Sequence, residues 1–213
     1  MDRERVKRLL AMQQMRTQIA GNLHEEINTT LNNISLLSEM AKIKAGKDVE
    51  RSKEYIEQIS DKSKRMIDAM DDMLWSIQPE NDRMEKTLLR MQEFAEGLQN
   101  EYNTGIVMMV DENIKSLKLD MKLRHELFLI FKQALKSVIE SASQAQTIIN
   151  IDLSNSKLLL KIRAEEPSIA DSGLNYFAAS INEMNKRAAL INAELDVQHD
   201  KKGISVILLM PVH

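Results

Sequence analysis

The chain has no cysteine, which excludes a disulfide framework and any zinc site built on thiolates. Its four histidines (His24, His125, His199 and His213) are scattered without metal-ligand spacing. Only three prolines and six glycines fall in 213 residues, and none of the prolines interrupts residues 2–44. No apolar run approaches the roughly 18 residues of a membrane span. The N-terminal MDRERVKRLL lacks the apolar segment of a signal peptide. The expected location is therefore the cytoplasm, without direct membrane contact. Neither sign of charge dominates: 29 basic residues against 32 acidic give a net −3. A dedicated nucleic-acid binder needs a clustered basic face, so no nucleic-acid partner is expected. What remains is 43% hydrophobic and 29% charged, enough for one or two domains with cores of their own. The 14 methionines read as core filler between helices.

Residues 2–44 carry one helical pattern, with Leu23, Ile27, Leu31, Ile34, Leu37 and Ala41 recurring at three- and four-residue steps. Gly46 is placed to end this helix and Asp48 to cap the next. The second pattern runs through Ile56, Ile59, Met66, Met70, Met73 and Ile77 to Pro79, which disfavours helix at Gln78. Two long amphipathic helices with a short connection predict an antiparallel hairpin. One hairpin cannot bury two broad apolar stripes, so a homodimer closing a four-helix bundle is expected. From Asp82 onward the pattern reads helix, then β-α-β-β-α-β-β, with QTIINIDLS and KLLLKIRA flanking a turn at Asn155-Ser156. The fold class is α+β: a helical hairpin over 1–80, then an α/β sandwich over 81–213 with helices on one face of a mixed sheet.

The segment RTQIAGNLHEEI places His24 beside Glu25 and Glu26 in the first helix. Neutral imidazole is a competent nucleophile near neutral pH, and a carboxylate on its other nitrogen fixes the tautomer and steadies the developing charge. Together with the WSIQPEND stretch closing the second helix, this segment resembles the phosphoacceptor and dimerization region of two-component sensor histidine kinases. The resemblance extends over nearly the whole chain. It implies that His24 is the phosphorylated residue and Glu25 its acid–base partner. It also implies that Asn28, one turn on, orients a water that hydrolyses the partner's phospho-aspartate. The implied partner is a response-regulator receiver domain.

The second half departs from that family's pattern. In FLIFKQALKSVIESA, Gln133 stands where the family has an acid, and Lys136 and Ser137 stand where it has magnesium-binding asparagine. The strand KIRAEEPSI offers Ala164, Glu165, Glu166, Pro167 and Ser168 in place of Asp-x-Gly-x-Gly. A glycine-rich lid is also missing, with Ala178, Ala179 and Ser180 in its place. The resulting expectation is a phosphotransfer protein on a histidine kinase scaffold, with no cofactor and a degenerate ATP domain. The alternatives are a conventional kinase, using ATP and magnesium, and a non-catalytic interaction module.

Overall fold

The computed structural model describes residues 2–142, 145–164, 171–200 and 203–212, without the side chains of 22–26, 171–179 and some others on the first helix. It divides into two compact units, Met1–Gln78 and Pro79–His213.

The first unit is a pair of helices, α1 (Asp2–Ala45) and α2 (Val49–Ile77). With 44 residues α1 is about 66 Å long. The turn closes where the N–H groups of Lys47 and Asp48 both meet the Lys44 carbonyl, at 2.9 and 2.8 Å. Asp48 then caps α2, its carboxylate accepting from the Arg51 N–H at 3.1 Å. Ser52, one turn in, donates its hydroxyl to the Ala41 carbonyl at 3.0 Å and so ties the two helices beside the turn. At the far end Gln78 is extended, as a residue before proline must be, and α2 stops at Ile77. The hairpin leaves much apolar surface open. Leu36, Ile43, Ile56, Ile67 and Leu74 are each at least half exposed.

The second unit is a two-layer sandwich. Its strands are β1 (Ile106–Val110), β2 (Thr147–Ser154), β3 (Lys157–Ala164), β4 (Glu194–Asp200) and β5 (Gly203–Pro211). They lie in the order β1-β2-β3-β5-β4, parallel between β1 and β2 and antiparallel elsewhere. Three helices, α3 (Met84–Tyr102), α4 (Met121–Ser141) and α5 (Asp171–Leu190), pack on the sheet. Period-two alternation sends Ile149, Ile162 and Val206, adjacent in register, into the core together. Asn155 and Ser156 both take positive φ (51° and 58°), which makes the tight two-residue hairpin turn between β2 and β3.

Helix α4 is the centre of this unit. Ile130, Phe131, Ala134, Leu135 and Val138 are fully buried on it, and Phe94 of α3 meets the rings of Phe128 and Phe131 edge-on. Asp120 caps its start by accepting from the Leu123 N–H at 2.8 Å. Buried Arg124 in its first turn donates to the carbonyls of Asp82 (2.6 Å) and Leu119 (2.7 Å) and to the Asp82 carboxylate (2.6 Å). That clamp holds the segment leading into α3. Among the described residues no helix is long and apolar enough to cross a membrane.

Candidate functional site

The sequence points to two places. The first is on α1. His24 and Glu25 belong to that helix, but their side chains lie outside the described residues. Asn28, four residues past His24, sits one turn further along and is exposed.

The second place is the face that α4 turns toward α5. Gln133 and Ser137 are one helical turn apart and point the same way. The Gln133 amide donates to Ser180 of α5, reaching its Oγ at 3.1 Å and its carbonyl at 3.4 Å. The hydroxyls of Ser137 and Ser180 meet at 2.7 Å, and both are buried. Two turns away, Glu126 of α4 accepts from Arg187 of α5 at 3.1 Å. The polar groups between the two helices are thus bonded to one another.

Lys136 does not join this group. The sequence places it beside Ser137 at the asparagine positions, where its charge would oppose a metal ion. In the structure its side chain is half exposed and lies 3.8 Å from Glu140. One residue along a helix turns a side chain by about 100°, so Lys136 and Ser137 cannot share a face, and Ser137 has the inward one. Glu140 also accepts from the Tyr102 hydroxyl at 3.0 Å. Both acids of α4 are therefore engaged with neighbours. Ala164, at the end of β3, is completely buried between Thr147 and Ile204 in register, and its methyl offers no hydrogen bond. Residues 165–168 lie outside the described residues. No group of three or more His, Asp or Glu among the described residues is arranged to hold a metal ion. Ser180, which the sequence sets with Ala178 and Ala179 in place of a glycine-rich lid, bonds to both Gln133 and Ser137; a serine after two alanines carries no local signal of that contact.

No family model matches the chain, whereas solved structures do. The histidine kinase AdeS of Acinetobacter baumannii matches with a TM-score of 0.55 at 10% identity, over 88% of this chain and 98% of that one. The blue-light activated histidine kinase EL346 of Erythrobacter litoralis gives 0.58 at 12% identity, over 91% of this chain and 60% of that one. The histidine kinase domain of EL346 gives 0.53 at 11% identity, over 93% and 94%. At such identities the likeness is one of fold. The chain has a histidine-kinase-like α+β fold, with N-terminal helices followed by a sandwich like the kinases' ATPase domain.

Proposed function

We propose that this chain is a two-component signalling protein that exchanges phosphoryl groups between His24 and the aspartate of a response-regulator receiver domain, without drawing them from ATP. An imidazole nitrogen of His24 attacks the phosphorus of the receiver's aspartyl phosphate. The P–O bond to that aspartate breaks and leaves a free carboxylate. Glu25 takes the proton that the ring sheds as the phosphoramidate forms. Asn28, exposed one turn on, positions water for hydrolysis of the same aspartyl phosphate. The histidine-kinase-like fold supports the two-component setting.

The observation that favours transfer over ATP-dependent phosphorylation is the Gln133–Ser137–Ser180 cluster. Magnesium prefers carboxylate and other hard oxygen ligands. The residues at the positions the family reserves for it are a neutral amide and a hydroxyl, already bonded to α5. Opening them to a nucleotide forfeits bonds worth about 0.5–1.5 kcal/mol each and exposes no acid in return. The methyl of Ala164 likewise replaces a group that would accept from a base. These residues do not fit a magnesium nucleotide, so no step runs through one. The half-exposed Leu36, Ile43, Ile56 and Ile67 support a homodimer through the hairpin.

The test is label transfer. The full chain, incubated with a receiver domain carrying labelled aspartyl phosphate, should acquire acid-labile, base-stable label, and His24→Ala should acquire none. Equal behaviour of wild type and His24→Ala across receiver domains would make the chain an interaction module. Labelling by ATP with magnesium alone would make it a conventional kinase.

A further inference from the structure

The two edges of the sheet are built differently. At one end β4 presents Glu194, Asp196, Gln198 and His199 outward. Charges on an edge strand deter pairing with another chain. At the other end lies β1, Ile-Val-Met-Met-Val, without a charge, proline or glycine. Its ladder to β2 fixes which backbone groups are free. The Thr147 N–H bonds the Gly105 carbonyl, and the Asp111 N–H bonds the Ile151 carbonyl. In a parallel ladder alternate residues face the neighbour, so odd-numbered residues from 105 to 111 turn toward β2. The N–H and C=O groups of Ile106, Met108 and Val110 therefore turn to the open edge. The Gln99 side chain accepts from the Ile106 N–H at 3.1 Å, which closes the first of them; no other strand of the described residues pairs with this edge.

A groove of about 550 Å³ runs along this edge between β1 and α3. Its floor is apolar, with Leu88, Ala95, Met108 and Val110, and its α3 wall carries Glu85 and Glu96 against one cation, Lys115. Glu96 accepts from the neutral amide of Gln92 at 2.9 Å. On the opposite face of the sheet Val107 and Met109 are 40% and 47% exposed. The strand is thus open at its edge and on its outer face, while Ile106, Met108 and Val110 pack partly against the core and border the groove.

We propose that β1 is a docking edge for an extended segment of a partner protein, which adds to the sheet as a sixth strand. The segment has apolar side chains at alternate positions, entering the groove, and a lysine or arginine placed against Glu96. Strand addition supplies main-chain hydrogen bonds for affinity and alternate pockets for specificity. A second copy of this chain fits the groove less well. Its own β1, Ile-Val-Met-Met-Val, carries no cation to set against Glu85 and Glu96. The proposal stands apart from the phosphotransfer reading and uses none of its residues.

The probe is a short capped peptide with valine at every second position and arginine at each end, titrated into the full chain. The expected result is saturable binding, with slowed hydrogen exchange at the amides of Met108 and Val110. Met108→Pro removes an outward N–H while leaving the β2 ladder intact and should weaken binding about tenfold or more. Glu96→Lys should shift the preference to the same peptide with glutamate ends. N-methylation of the peptide's pairing amides should abolish binding, a control that stands even if Met108→Pro does not fold. Undiminished binding of the N-methylated peptide, or no saturation at millimolar peptide, overturns the proposal. So does a fall in the chain's own sedimenting mass on Met108→Pro, which would assign the edge to a second copy.

Discussion

Arg124 shows how one side chain can fix a junction that no local pattern announces. Its guanidinium satisfies two carbonyls and a carboxylate while only 6% exposed, and its partner Asp82 lies 42 positions away at a quarter exposure. Arg124→Leu keeps the apolar stem but strips all three acceptors. A destabilisation of about 3 kcal/mol is expected, read as a lower urea midpoint of the second unit by far-ultraviolet circular dichroism. His24 is the opposite case. Its phosphoacceptor reading, with Glu25 and Asn28, rests on a sequence setting written within a few residues, since the side chains of His24 and Glu25 lie outside the described residues. Glu25→Gln keeps the shape but loses the base, and should slow label transfer while leaving receiver binding intact. Asn28→Ala should prolong the lifetime of the receiver's phospho-aspartate in the complex more than it slows transfer. An equal effect on both rates would remove Asn28 from the water-positioning role.

Elements were more legible than the contacts between them. The apolar-rich TIINIDLS and KLLLKIRA, split by Asn155-Ser156, read as a hairpin because that turn needs two residues tolerant of positive φ. Asp48 and Pro79 marked the start and end of α2 for equally local reasons. Strand order was not readable, since nothing in IVMMV says whether it lies at the centre of a sheet or at its edge. The face of α4 was legible only in part. Lys136 falls on a stripe with Lys122, His125, Lys132 and Glu140 along the more open side of the helix, but the sequence does not say that Ser137, one residue on, meets α5. The α4–α5 contact makes its own prediction. Ser180→Ala leaves the Ser137 hydroxyl buried without its partner and the Gln133 amide with only the backbone carbonyl of residue 180, at a cost of about 1–3 kcal/mol. Adding Gln133→Leu and Ser137→Ala removes the stranded groups and should recover much of that loss. Failure of the triple variant to exceed Ser180→Ala in urea midpoint would mean the cluster contributes packing rather than hydrogen bonding.

At the scale of the whole molecule the two units have opposite surfaces. The sandwich encloses a core of its own, while the hairpin keeps large aliphatic side chains in water along both helices. Apolar area is worth about 25 cal/mol per Å² when removed from water, and covering several such residues on each of four helices exceeds what a solvated hairpin forgoes. A homodimer is therefore expected by sedimentation equilibrium at micromolar concentration. Ile56→Glu combined with Ile67→Glu should convert it to monomer without loss of helix, because both positions are already half exposed in the single hairpin. The fate of the sandwich follows from a different comparison. A protein that binds a ligand at a hundredfold over its dissociation constant gains about 2.7 kcal/mol of stability, enough for a clear rise in melting temperature. With Gln133 and Ser137 tied to Ser180 and a methyl at Ala164, millimolar ATP with magnesium should leave the melting curve where it was. The Ser180→Ala variant, which unties those side chains but supplies no carboxylate, should be equally unresponsive. A rise for wild type would return the chain to the ATP-dependent kinases. A rise for Ser180→Ala alone would locate the block in the hydrogen-bonded cluster rather than in the missing acid.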